Sequence, residues 1–245
     1  MLQRYTAPPL PFDFPDEFSF DQLSESAKER ARESYREHAT DHDWWLNTYE
    51  DADKIADMLG ITISSTPVRL HGGGTRHDPD ILFSGFWSQG DGACLQGGWS
   101  PVDNPMEIID QVLAYAPEDD RLHRIAADLA ELSERHGRNS PENGTTHVRI
   151  AHRGHYYHSG CAQFEFTSDG PEGSEDWNEL QLMTWHAVQR ARGMDTWEHE
   201  VIAALRAFMD WIYRQLEQEY EYLTSDEVID EYLAEKEFDE DGNII

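Results

Sequence analysis

An α+β fold follows from three features of the 245-residue chain. Residues 81–100 place two apolar runs, 81–87 and 93–99, around Ser88-Gln89-Gly90-Asp91-Gly92, the pattern of a β-hairpin. Residues 147–167 read as a similar hairpin turning near Arg153-Gly154, and repeat a Ser-Gly signature at Ser159-Gly160-Cys161. Helical periodicity fills much of the rest, and its longest run spans 195–222. The expected architecture is an antiparallel sheet built from the two hairpins, covered by amphipathic helices, with a long C-terminal helix. The glycines at 85, 90, 92, 97 and 98 are more than plain strands carry. They mark bulges or places where another backbone or a ligand comes close.

Three segments are expected: an extended Pro/Phe arm over 1–20, a single α+β domain over 21–223, and an acidic helical tail over 224–245. Pro8, Pro9, Pro11 and Pro15 exclude helix from the arm. Asp21 or Ser24 can cap the helix that follows, in which Leu23, Ala27, Ala31 and Tyr35 recur every four residues. A second helix is expected over 42–59, with Trp45, Tyr49, Ala52, Ile55, Ala56 and Leu59 on one stripe and Gly60 as its stop. Residues 61–65 alternate as a strand ended by Pro67, and His71-Gly72-Gly73-Gly74-Thr75 makes a flexible turn. That glycine triplet lacks the Lys-Ser/Thr of a phosphate loop.

Helices are expected over 105–115 and 119–136, the second carrying Leu122, Ile125, Ala126, Leu129 and Leu132 on one face. The polar stretch 137–144 reads as a mobile connection and 168–174 as a loop. Helical spacing resumes at Trp177, Leu180, Met183, Ala187 and Ala191, and a short acidic helix is expected over 226–235.

Charge restricts the function classes. Forty-nine acids against nineteen bases give a formal charge of −30. Such a surface repels nucleic acid and anionic membrane and attracts basic protein surfaces. No run of about 18 apolar residues is present, so no transmembrane helix is expected. The N-terminus has no signal pattern, which points to a cytoplasmic protein with Cys94 and Cys161 reduced. The acids are densest over 217–241, where twelve stand against Lys236 alone. Glu217, Glu219, Glu221, Asp226, Glu227, Asp230 and Glu231 approach the line density of duplex phosphates, about one charge per 1.7 Å. They are the candidate binding residues for a DNA mimic that occupies the cationic groove of a nucleic-acid-binding protein. The same acids also suit a solvated helical face.

The alternative chemistry is a Cys/His hydrolase centred on Cys94, with His152 and His158 as candidate bases. Cys94 reads as strand rather than helix N-terminus, where a thiol pKa would be lowered. With Asp91 or Cys161 the histidines could form a metal site, but no HxH, HExxH or CxxC spacing supports one. Asp91 and Glu165 are a conceivable acid–base pair, although Asp91 between two glycines is most simply a turn residue. No catalytic motif and no cofactor is expected.

The segment FSGFWSQGDGAC at 83–94 stands with YYHSGC at 156–161, FSFDQLSESAKERARESYRE at 18–37 and an acidic ending over 238–242. Together they resemble a bacteriophage and prophage protein family, some of whose members carry an antitoxin-like label. The resemblance implies a small α+β phage protein and carries over no catalytic residues. Members often have an acid shortly after the cysteine, where this chain has Leu95-Gln96-Gly97. The expected function is a non-enzymatic acidic protein that binds and inhibits a host nucleic-acid-handling or defence protein, an anti-CRISPR being one such type. A structural or regulatory phage protein without a host target is the third reading, and a homodimer is compatible with each.

Overall fold

The computed structural model describes residues 17–137, 146–168, 170, 173–191 and 193–245. The arm expected over 1–20 lies outside them up to residue 16, and the loop over 137–144 lies outside them from residue 138. The first elements are β1 (Phe18–Ser19), α1 (Glu25–Arg36), α2 (Leu46–Met58), β2 (Ile61–Ile63), β3 (Ser65–Arg69) and β4 (Thr75–Pro79). Next come β5 (Ile81–Phe83), β6 (Ala93–Leu95), β7 (Gly97–Trp99), α3 (Pro105–Tyr115) and α4 (Asp120–Leu132). The rest are β8 (Thr146–His152), β9 (Ala162–Ser168), α5 (Glu179–Ala191), α6 (Met194–Leu223), α7 (Asp226–Leu233) and β10 (Glu237–Phe238). The fold is α+β, and the strand pairs described are antiparallel.

Two compact units emerge. One holds the described residues up to Trp44 together with Tyr220–Ile245; the other is Trp45–Glu219. In the larger unit the sheet order is β2-β7-β8-β9. Thr146, Val148 and Ile150 on β8 are buried while His147 and Arg149 between them are exposed, the period-two pattern of a half-buried strand. The second hairpin lies in this sheet, whereas the first gives it only β7, with β5 and β6 forming a separate two-stranded pair, and divides at Gln96. Before it, β6 pairs with β5; after it, β7 pairs with β2 and β8. Gln96 holds the junction: its N–H donates to the Asp80 carbonyl at 3.0 Å and its carbonyl accepts from Ser64 N at 2.8 Å.

The core of this unit is aromatic and aliphatic. Trp99 on β7 is buried and donates its indole N–H to the Leu59 carbonyl at 3.1 Å, which ends α2 against the sheet. Trp197 lies 6.1 Å from it and donates to the Leu132 carbonyl, tying α6 to the end of α4. Along α6, Val201, Leu205, Phe208, Ile212 and Leu216 are all buried, at the spacing of one helix face. Each such side chain contributes about 1.5–3 kcal/mol of transfer free energy. Asp119 caps α4 through Leu122 N, and its second oxygen accepts from the Trp211 indole at 2.6 Å.

Three boundaries differ from expectation. The second hairpin does not turn at Arg153-Gly154: β8 ends at His152 and β9 begins at Ala162, with a short turn at Ser159–Cys161 before it. The tyrosines and histidines in between therefore form a surface connection, not strand. Pro67 does not end its strand either. It sits inside β3 opposite His77 in a two-stranded ribbon, where a residue without an N–H is tolerated. The helix expected from 42 begins at Leu46. Among the described residues no helix is long and apolar enough to cross a membrane.

The smaller unit has its own core of Phe20, Leu23, Ala27, Ala31, Ile229, Leu233 and Phe238. Ser24 caps α1 through Ala27 N at 3.2 Å and Ser225 caps α7 through Val228 N at 3.4 Å. β1 and β10 pair with Phe18 opposite Phe238, and Tyr35 stacks on Tyr232 with centroids 4.1 Å apart. A row of ion pairs closes the seam between α1 and the C-terminal segment: Arg36 to Asp226, Arg32 to Asp230, Arg30 to Asp241.

Candidate functional site

The segment between β5 and β6, Ser84–Gly92, is a self-supported loop. Ser84 N donates to the Gly92 carbonyl at 3.1 Å and Asp91 N to the Ser88 carbonyl at 3.1 Å. One oxygen of the Asp91 carboxylate accepts from Ser88 N at 2.6 Å and from Trp87 N at 3.1 Å, an Asx-type turn. Asp91 is thus a turn residue, as its glycine neighbours suggest. The Tyr213 hydroxyl on α6 donates to the Gly85 carbonyl at 2.9 Å and anchors the loop from the other side.

The glycines are where a second segment seats on the loop. A Cβ on Gly90 would come within 2.5 Å of the Tyr156 ring, and one on Gly92 within 2.5 Å of the His158 backbone Cα. The connection between β8 and β9 therefore lies directly over the loop, which requires glycine at both places. Residues 83–94 and 156–161 thus form a single structural feature.

The result is an aromatic ledge with carboxylates beside it. Phe86 stacks on Phe83 with centroids 6.3 Å apart and lies tilted to Tyr213 at 5.5 Å, and Trp87 meets it edge-on at 5.9 Å. Trp87 is 78% exposed and Tyr156 57% exposed, although both stand on a hydrogen-bonded base. Burial, then the nearby charges of Asp91 and Glu217, push the Tyr213 hydroxyl above its ordinary pKa. Glu217 and the loop thus meet at Tyr213, which sequence spacing could not show. Trp87, Tyr156 and Tyr213 are not among the candidate residues that the sequence points to. The available signal was a Phe-Trp pair directly before a polar Gly/Asp turn, where a buried pair has no reason to be.

The seven acids expected to form one face separate into two groups. Glu217 and Glu219 lie on α6 within the larger unit. Glu221, Asp226, Glu227, Asp230 and Glu231 belong to the smaller one. Asp230 receives both Nε and Nη2 of Arg32, at 2.6 and 2.7 Å, and this pairing holds its carboxyl below the usual range. Asp226 takes Arg36 Nη2 at 2.5 Å. Those two acids hold α7 to α1. Glu221, Glu227 and Glu231 are exposed.

The thiols have a different geometry from the one a Cys94 hydrolase needs. Cys94 on β6 is fully buried, and burial, with the Cys161 charge second, pushes its thiol up to about 12. A thiol held protonated is a poor nucleophile. Cys161 is the cysteine beside a histidine, its Sγ 3.5 Å from His158 Nε2. The Gly160 N–H donates to His158 Nδ1 at 3.1 Å, so Nδ1 is unprotonated and the neutral ring carries its proton on Nε2. That nitrogen donates toward sulfur and cannot take a proton from it. His152 is tied elsewhere, with Nε2 2.9 Å from the Tyr156 carbonyl. Glu165 faces Arg149 across the strands at 3.7 Å. Among the described residues no group of three or more His, Cys, Asp or Glu is placed to hold a metal ion.

Residues 44–226 match a family model described as Domain of unknown function (DUF8835). No curated protein and no solved structure matches the chain. The matched residues include the loop, the segment seated over it and Glu217; Arg32, Arg36 and Asp230 lie outside them.

Proposed function

We propose, from the premise that this chain belongs to the DUF8835 family, that it acts by binding a protein with a cationic surface, and that the ledge at Trp87 is the contact. The partner class is a host nucleic-acid-handling or defence protein, whose phosphate-binding surface the acidic chain occupies. The observation that carries this reading is Trp87, 78% exposed at the tip of a hydrogen-bonded loop with carboxylates alongside.

An indole face takes a Lys or Arg with about 0.5–1 kcal/mol at an exposed site and about 2 kcal/mol once desolvated. Tryptophan is also enriched among the hot spots of protein interfaces, and a preordered loop loses little conformational freedom on binding. The −30 charge supplies the long-range part: it steers a basic partner inward and accelerates encounter at low ionic strength. Asp226 and Asp230 are left out of the contact because their carboxylates already neutralise arginines of the same unit. The phage-type setting implied by the motif resemblance favours a host target over a cellular housekeeping role.

The test is capture of partners from bacterial lysate with the full chain and with Trp87→Ala and Glu217→Gln. A basic nucleic-acid-binding protein held at about 50 mM salt, released at about 500 mM and lost with Trp87→Ala supports the reading. Equal retention by Trp87→Ala sinks the ledge as the contact, and retention indifferent to salt sinks the electrostatic mechanism.

A further inference from the structure

Helix α5 carries a second apolar stripe on the side away from its own unit. Trp185 and Gln189 are its buried residues, 9% and 5% exposed, and they define the inward face. At 3.6 residues per turn, Leu180, Met183, Thr184, Ala187 and Ala191 fall on the opposite side. All five are exposed, Leu180 at 73% and Met183 at 62%, and Val188 extends the patch at 42%. A surface helix with a single inward stripe would place polar residues here instead.

Charge decides what can cover it. The chain carries 49 acids in 245 residues, about one in five, so two copies repel over most of their surfaces. α5 is the exception: over 13 residues its formal charges are Glu179 at the start and Arg190 near the end. These two lie on the same flank of the outward stripe. In an antiparallel helix pair related by a two-fold axis, like flanks meet, so Glu179 of each copy reaches Arg190 of the other, twice by symmetry. The same operation about the middle of the helix sets Met183 against Ala187 and Leu180 against the Arg190–Ala191 end. Large side chains then meet small ones, as interdigitated helix surfaces require. The competing ion pair of Arg190, with Asp195 at 3.9 Å, is long and exposed.

We propose that α5 is a self-association surface: two copies of this chain pair antiparallel through Leu180, Met183 and Ala187, with Glu179 and Arg190 exchanged. One helix of about 20 Å per copy gives an interface at the small end of the range, below about 1,200 Å² in total. The dimer is correspondingly weak, with a dissociation constant on the order of 10 μM. Since the bodies repel, it tightens with salt, the reverse of the salt dependence of a basic partner.

Sedimentation equilibrium of the full chain at about 50 and 500 mM salt tests this, with circular dichroism as the control for folding. The expected result is a reversible dimer, tighter at high salt. Met183→Glu, at an exposed position, weakens it by about thirtyfold or more, since it puts a charge into the apolar stripe. Glu179→Arg weakens it by about three- to tenfold, and adding Arg190→Glu restores it to within about twofold of the original. A monomer at both salts up to about 200 μM overturns the proposal. So does a dimer that Met183→Glu leaves unchanged, because the contact is then elsewhere. Failure of the double charge reversal to recover what the single one loses overturns the antiparallel arrangement.

Discussion

Asp91 shows how one side chain can serve structure and still shape a surface. Its carboxylate holds the Trp87 and Ser88 amides and so fixes the backbone from which the exposed indole projects, edge-on to Phe86. Cys94 and Cys161 show the opposite lesson, that residue identity alone does not assign chemistry. The buried Cys94 thiol stays protonated to about 12, while Cys161 is half-buried beside an imidazole that donates to it. Iodoacetamide at about pH 8 is expected to label Cys161 in the native protein and Cys94 only after denaturation, read by peptide mass spectrometry. The same burial has a pH consequence. A thiol whose folded pKa lies above its ordinary 9.0 stabilises the fold fully below that value. The contribution is lost as pH rises from there toward about 12, so alkaline unfolding is the sensitive direction for Cys94.

At the scale of elements, the acidic C-terminal segment turns out to be a structural part. Ile229, Leu233 and Phe238 are all fully buried in the small unit, against Phe20, Leu23 and Ala27 of the N-terminal segment. Phe238→Ala is expected to cost about 3–5 kcal/mol of that unit's stability, seen as loss of amide protection in α1 before any change in the sheet. Removing the C-terminal helix to test acid-mediated binding would strip this core as well, so point changes at Glu217 and Trp87 are the cleaner probe. The Arg32–Asp230 pair adds about 1 kcal/mol at most, since the carboxylate is partly exposed. The Asp230 carboxyl is held below its ordinary value, so its share is present above about pH 4 and lost as pH falls through the depressed folded value. Asp230→Asn is expected to flatten the acid limb of thermal stability below about pH 4, read as melting temperature against pH.

For the molecule as a whole the dominant quantity is the net charge. Thirty uncompensated negative charges raise the free energy of a compact body through self-repulsion, and salt screens them over about 10 Å at 0.1 M. Melting temperature is therefore expected to rise by several degrees between about 20 and 500 mM NaCl. A melting temperature that does not move would mean that the acids are spaced or paired so that repulsion is already small. The ion pairs along the α1 seam are one part of that compensation, each using an arginine from a chain that has only nineteen basic residues.

Helix periodicity, strand alternation and turn chemistry are local, and the sequence by itself determined what depends on them. The α+β class, the long helix that proved to be Met194–Leu223, a cap at Asp21 or Ser24 that proved to be Ser24, and the two hairpins were legible because each is written within a few neighbouring residues. Composition determined the net charge of −30. Tertiary structure alone decided which distant residues meet. The seating of Tyr156 and His158 over Gly90 and Gly92 joins segments some 65 residues apart, and Arg32 pairs with Asp230 across 198 residues. No spacing rule spans such separations, so the ledge, the two-unit division and the structural use of Asp226 and Asp230 were not readable beforehand. The division of the first hairpin at Gln96 has the same cause. Two β runs in sequence do not specify which backbone each will pair with, because that choice is made by burial of Trp99 against Leu59 and Trp197 in the folded core.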